Sequence, residues 1–385
     1  MIQVFKPLIV PEAIQAVQDV LQSGWIGLGP KTKQFEEDFA QYIGVPHAVA
    51  VNSGTSALHL AIILSDVGDG DEVITTANTF VSTNHAILYQ KGIPVFCDVE
   101  KETGNIDANL VEGLITERTK AIITVHYAGY PCDMLKLVEV CKKHNLKLIE
   151  DCAHACGSKI SVESRSPNET NSMDWQRVGT FGDFACFSFH AVKNLPMGDG
   201  GMLITKYIED YEKAKKLRWL GIDRDTFKRA SSTNSIPGKY LWKYDVPYVG
   251  FKYHMNDINA AIGIEQLKYL DDHNLKRCQI AKIYEGELGS ISGITLPKYK
   301  VNRISSCHFY PIFVENREDL IIKLKENDIH PGVHYLRNDI YPIYQQANLP
   351  NTEYISEHEL TLPMHLFLTS DDLNKIIYTV KGNDL

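Results

Sequence analysis

Residues 187–201 read FSFHAVKNLPMGDGG: an apolar run, a single lysine (Lys193), then a glycine-rich turn that leads into GMLIT. Two short apolar runs closing on one lysine through a glycine turn describe adjacent buried strands joined by a loop. A lysine in such a loop is either solvated or held where its amine can attack a carbonyl and form a Schiff base. The rest of the chain has to separate these readings.

Working outward from it, short apolar runs alternate with helical periods. HAVAV, DEVITT, IPVFCDV, AIITVHY, LKLIED, FACFSF and GMLIT read as buried strands, and CDMLKLVEVCKKHN as one of the intervening helices. Apolar runs without polar alternation are expected of strands covered on both faces, so the pattern predicts an α/β fold around a mostly parallel sheet flanked by helices. Upstream, PEAIQAVQDVLQSG places Ile14, Val17, Val20 and Leu21 on one face of a helix ending near Gly24, and KTKQFEEDFAQYIG does the same with Phe35, Phe39 and Ile43. After about residue 250 the order changes. A long helical pattern, MNDINAAIGIEQLKYLDDHNLKRCQIAKIYEGEL, leads to the strand CHFYPIFVE and the helix REDLIIKLKEN. The expectation is a large domain over 1–250, with N-terminal helices packed near a smaller C-terminal α+β domain over 251–385. Two polar, turn-rich stretches, 161–178 with Asn168 and Trp175, and 223–245, read as surface loops.

Bulk properties narrow the function. The chain has 385 residues and a formal net charge of −9, with no long basic run, which argues against nucleic acid as the main partner. No apolar stretch is long enough to span a bilayer, and the start lacks the pattern of a signal peptide, so a cytoplasmic enzyme is expected. The eight cysteines show no zinc-type spacing. CAHAC (Cys152, His154, Cys156) is a tight group without a second ligand pair, and reduced thiols are the expectation, with no metal.

Four features gather around Lys193. NSGTSAL puts a glycine turn between a strand and a helix that opens with Gly54, Thr55 and Ser56; backbone N–H groups and hydroxyls at such a start can seat a phosphate, or simply cap a helix. Asp151 ends an apolar strand, where a carboxylate can pair with a pyridinium nitrogen or cap the next turn. Phe80 follows a strand, where it can stack on a cofactor ring or pack in a core. Ser188 lies five residues before Lys193, close enough in chain to address a phosphate while the lysine reaches a carbonyl carbon. Each feature alone is weak; their joint order is what pyridoxal 5′-phosphate needs.

With these motifs the chain resembles the DegT/DnrJ/EryC1/StrS family of sugar aminotransferases, which has the aspartate aminotransferase fold (pyridoxal phosphate fold type I). SGWIGLGPKTKQFEEDFAQYIG, VNSGTSALHLAI, DEVITTANTFVSTNHAI, IEDCAHACGS, FGDFACFSFHAVKNLPMGDGGML, GFKYHMNDINAAIGIEQL, GVHY and TLPMH fall in the family's order along nearly the whole chain. The resemblance implies that Lys193 holds the cofactor covalently, that Asp151 pairs with its ring nitrogen, that His154 contacts the ring hydroxyl and that Phe80 stacks on the ring. Thr55, Ser56 and Ser188 become phosphate ligands, with Gly54 shaping their seat. It further implies a homodimer in which GFKYHM reaches the neighbouring subunit's phosphate. Lys252 stands there in place of the family's usual Asn, and His254 in place of Arg. The implied reaction moves an amino group from L-glutamate to a nucleotide-linked 3- or 4-keto-6-deoxyhexose, for amino-sugar, O-antigen or other polysaccharide biosynthesis. A non-nucleotide ketone such as an inosose, or a regulatory homologue without chemistry, is the alternative. The family's dehydratases carry His at the lysine position, and this chain carries Lys193.

Overall fold

The computed structural model describes residues 1–162, 174–223 and 244–382. Its centre is a seven-stranded sheet built from β1 (Ala48–Val51), β2 (Glu72–Thr76), β3 (Ile93–Cys97), β4 (Thr119–Val125), β5 (Lys147–Asp151), β8 (Phe184–Ser188) and β9 (Gly201–Thr205). The strand order is β1-β9-β8-β5-β4-β2-β3. Every pair from β3 across to β8 is parallel, while β9 runs antiparallel to both of its neighbours. All seven expected runs are therefore strands of one sheet, and the mostly parallel α/β architecture of fold type I is the observed one.

Successive residues of a strand point to opposite faces. Ala185 and Phe187 enter one apolar core with Phe35 and Phe39, while Phe184 and Cys186 enter another with Leu58, Leu60 and Ile62. Because both faces are covered, the strands read as unbroken apolar runs. The helices α3 (Gly54–Leu64), α4 (Val81–Tyr89), α5 (Met134–His144) and α6 (Ile208–Leu217) fall between the strands. None of the described helices is long and apolar enough to cross a membrane.

The N-terminal helices α1 (Pro11–Ser23) and α2 (Pro30–Ile43) both pack on the helix Asp257–Leu267. Asp257 joins them: its carboxylate accepts hydrogen bonds from the backbone N–H groups of Gly29, Lys31 and Thr32, at the positive end of α2. In α2 the expected Phe35, Phe39 and Ile43 are buried. In α1 the expected Val20 is buried and Val17 half-buried, but Ile14 is 66% and Leu21 54% exposed, and Ala13 is buried in their place. The contact stripe is thus turned by one position, and it puts the small Ala13 where α1 meets its neighbour.

The long helical pattern after residue 256 divides into Asp257–Leu267 and Leu270–Leu288. The second helix leads into a three-stranded antiparallel sheet ordered β10 (Ile294–Thr295), β12 (Tyr310–Val314), β13 (Glu359–Leu362). This sheet shares a separate apolar core with the helices Arg317–Glu326 and Ser370–Lys381 and with Ile2. A third sheet pairs β11 (Arg303–Ile304) with the hairpin β6 (Lys159–Val162) and β7 (Asp174–Arg177). The 161–178 stretch was expected as loop, yet Ser161 and Val162 end β6, and Trp175 and its neighbours form β7, paired with β6. Asn168 and residues 224–243 of the second expected loop lie outside the described residues.

Candidate active site

The parallel strands deliver their C-terminal ends to one edge of the sheet, where ligands collect in open α/β folds. Asp151 closes β5 and Ser188 closes β8. Ser188 pairs in register with Gly201, so the loop between them, with Lys193 in it, rises from two hydrogen-bonded antiparallel neighbours. Backbone bonds from Lys193 N to His190 O and from Met197 N to Phe189 O tighten this loop, and Gly198 adopts φ +87, a left-handed conformation that favours glycine.

Next to it stands the start of α3. Ser53 caps the helix, its hydroxyl accepting from the N–H of Ser56. A Cβ on Gly54 would come within 2.9 Å of Ser188 Cβ, so only glycine lets the helix start lie this close to Ser188. Gly54, Thr55, Ser56 and Ser188, four of the residues expected around a phosphate, are therefore neighbours in space. Lys252 is an exposed neighbour of the same turn: its carbonyl oxygen accepts from the Asn52 side chain at 3.4 Å, and its ammonium lies 3.7 Å over the Trp219 ring.

Asp151 is buried. Its carboxylate accepts from Thr83 Oγ1 at 2.8 Å and from the N–H of Ala153 at 3.1 Å. Burial raises its carboxyl above the ordinary range, while these donors and the charge of Lys193 pull it back. Lys193 is half-buried as a residue, and its amine is enclosed. Desolvation draws the ammonium down to about 8, against the attraction of Asp151. The same lysine charge is felt by His154, His308 and His334, each held below the ordinary imidazole value first by burial.

His154 is buried, and its Nε2 meets Tyr335 Oη at 2.9 Å. Its ring stacks on His308 with centroids 4.9 Å apart. Phe80 is 57% exposed at the head of α4, its ring 6.1 Å from that of Tyr335. The fold thus links Phe80, Tyr335 and His154 in one wall.

Three neighbours escaped the sequence reading. Thr83 holds Asp151; it lies one helical turn after Phe80, and only the fold joins it to residue 151. Tyr335 belongs to GVHY, a motif legible as a signature but not as a role. Asn194, beside Lys193, donates to Asn274 Oδ1 and to the Ser306 carbonyl, and its Oδ1 meets His308 Nδ1 at 2.9 Å. The group His126, Glu150 and Cys152 comes within 4.8 Å of itself. Glu150, however, already accepts from the N–H groups of Gly179, Phe181 and Gly182, and His126 Nδ1 accepts from that of Cys132, so these atoms serve the backbone.

A desolvated lysine, a buried carboxylate and a helix start pressed on a serine, all at the C-terminal edge of a largely parallel sheet, define a fold-type-I pyridoxal phosphate enzyme. His154 Nδ1 supports the fit: it is buried and has no hydrogen-bond partner among the described residues, as a nitrogen that meets a bound group would be. The model of the DegT/DnrJ/EryC1/StrS aminotransferase family matches residues 7–381, and the chain belongs to that family. Pyridoxal phosphate is its cofactor. It is 38% identical to the spore coat polysaccharide biosynthesis protein SpsC of Bacillus subtilis, over 97% of this chain and 95% of SpsC. The sugar aminotransferase CalS13 of Micromonospora echinospora superposes with a TM-score of 0.89 at 28% identity, covering 100% of both chains. The pyridoxal phosphate form of Spr1654 of Streptococcus pneumoniae superposes with a TM-score of 0.87 at 31% identity, covering 99% of this chain and 97% of that one.

Proposed function

We propose that this enzyme transfers an amino group from L-glutamate to a nucleotide-linked keto-sugar, a 3- or 4-keto-6-deoxyhexose, in amino-sugar or polysaccharide biosynthesis. The observation that carries the reading is Lys193: an enclosed amine drawn down to about 8, in electrostatic contact with buried Asp151. The similarity to CalS13 and to SpsC supports a sugar acceptor and a biosynthetic setting.

When bound, pyridoxal phosphate supplies an electron-withdrawing ring that takes up the charge left when a proton departs the amino acid's α-carbon. In this reading Lys193 holds the cofactor through its ε-amine. Set free by the incoming amino acid, Lys193 Nζ takes the α-proton and later returns a proton at the acceptor carbon. Its lowered affinity for protons raises the neutral fraction of the amine near neutral pH far above that of an ordinary lysine, as a base requires. Asp151 holds a proton on the ring nitrogen, and Thr83 and the N–H of Ala153 fix the carboxylate for that contact. The start of α3 with Thr55, Ser56 and Ser188 binds the phosphate, His154 takes the ring hydroxyl, and Phe80 and Tyr335 close the ring's side against water. A second chain completes the site in a homodimer, with Lys252 directed to the partner's phosphate.

The test is a panel of keto-sugar nucleotides and inososes incubated with the enzyme and L-glutamate, with products read by mass. Amination of a nucleotide-linked keto-hexose is the expected result. Amination of an inosose alone, or of none, overturns the acceptor assignment.

A further inference from the structure

Cys278, on the helix Leu270–Leu288, and Cys307, in the segment between β11 and β12, bring their Sγ atoms to 3.1 Å. A disulfide bond is about 2.05 Å long, so about 1 Å of closure separates this pair from a covalent link. Of the eight cysteines Cys278 is the one that is not buried. It opens on a cavity of about 660 Å³ between its helix and β11, lined also by Lys282, Arg303 and Tyr299. Burial pushes the Cys97 and Cys141 thiols up to about 12. Cys278 goes the other way: a hydrogen bond from Cys307, against some desolvation, and the charges of Lys282 and Arg277 hold it below the ordinary thiol value. An accessible, acidified thiol beside a second, buried thiol is the arrangement of a reactive cysteine with its resolving partner.

The pair is wired to the active site. Cys307 adopts φ 50, an unfavourable conformation for a residue with a side chain, and it lies between Ser306 and His308. Ser306 Oγ donates to the His154 carbonyl, and the Ser306 carbonyl accepts from Asn194, next to Lys193. His308 stacks on His154 and meets Asn194 Oδ1. Arg277, beside Cys278, donates to the carbonyls of His308 and Met364. Moving Cys307 toward the helix displaces both neighbours that position His154 and Asn194.

We propose that Cys278 and Cys307 form a reversible dithiol–disulfide site, oxidised by hydrogen peroxide through this cavity, that lowers turnover by shifting residues 306–308. The Cys278 thiolate attacks one peroxide oxygen; the O–O bond breaks, leaving Cys278 as a sulfenic acid and releasing hydroxide, which is protonated to water. The Cys307 sulfur then attacks the Cys278 sulfur, and the sulfenic oxygen leaves as water with the Cys307 proton. Two thiols lose two electrons, and one peroxide becomes two waters.

The holoenzyme, reduced and then treated with hydrogen peroxide, is to be alkylated under denaturing conditions, digested and mapped by mass. A linked Cys278–Cys307 peptide, a several-fold fall in turnover and recovery of both with dithiothreitol are expected. Cys307→Ser should trap the sulfenic acid on Cys278, labelled by dimedone. Cys278→Ser should keep basal turnover and show no link and no peroxide response. Cys278 and Cys307 recovered fully alkylated after peroxide overturn the site, and a linked peptide at undiminished turnover overturns its coupling to catalysis. The inference that turnover responds rests on the aminotransferase reading. The thiol mapping does not, so a failed acceptor panel with a linked peptide separates the two.

Discussion

Lys193 and Asp151 are brought together from two strand ends, and each alters the other's affinity for protons. On the proposed mechanism, removing the amine removes both the covalent hold and the proton carrier. Lys193→Ala should lower turnover by at least about 10³-fold, in the upper part of the about 10²–10⁴-fold share of a single acid–base group. It should also bind pyridoxal phosphate without the visible band of the lysine-bound cofactor. Near-normal turnover or an unchanged band would remove Lys193 from its role. Besides its place beside the ring, Tyr335 holds His154 through its hydroxyl. Tyr335→Phe deletes one hydrogen bond to a buried imidazole, worth about 1 kcal/mol, so kcat should fall by about 5–10-fold while the protein stays folded. An unchanged kcat would make Tyr335 a packing residue.

At the scale of elements, the contact between the start of α3 and the end of β8 depends on Gly54. Gly54→Ala places a Cβ 2.9 Å from Ser188 Cβ, and neither element can yield without moving its backbone. Cofactor retention on dialysis should fall, with thermal stability falling less, because the rest of α3 stays packed in its core. Retention equal to the parent would show that the phosphate seat does not need this approach. The small sheet carries its own test. Glu359 of β13 is fully buried and accepts from the N–H of His334; desolvation pushes its carboxyl up to about 8 from an ordinary 4.5, against the donors Thr361 and His334. Between those values the folded protein holds a proton that the unfolded chain has released. This contribution to stability is therefore complete below about pH 4.5 and is lost as pH rises through about 8. Glu359→Gln cannot release the proton, so its urea midpoint should fall less than the parent's between about pH 5 and about pH 8. Parallel slopes would mean that Glu359 is ionised in the fold.

For the whole molecule, the segment that leads to Lys252 carries exposed apolar side chains. Val246 and Val249 are exposed on the segment leading to Lys252, and Val249 keeps 93% of its surface. Exposed apolar groups of this kind fit a subunit contact, and a two-fold pair is the commonest closed assembly. Light scattering of the holoenzyme should give a dimer. Lys252→Ala should weaken cofactor retention while both subunits remain folded. An active monomer would remove the shared site. A dimer with unchanged retention would remove only the lysine, leaving His254 as the residue to replace.

Strand positions, the sheet's parallel character and the candidacy of Gly54, Asp151, Ser188 and Lys193, which the fold gathers at the strand ends, were legible along the chain. Strands covered on both faces are apolar throughout, and the turn after Lys193 takes a left-handed φ at Gly198 that favours glycine; these are local demands, met by neighbouring residues. The burial stripe of α1 was legible only in part: Val20 is buried as expected, but α1 offers apolar residues on two sides, and its packing against the helix Asp257–Leu267 takes Ala13 rather than Ile14 and Leu21. Nor were Thr83 beside Asp151, Tyr335 beside His154, or Cys278 beside Cys307. Each of those pairs joins residues from different elements, and hydrogen bonds between elements follow from how the elements pack, which no spacing along the chain records.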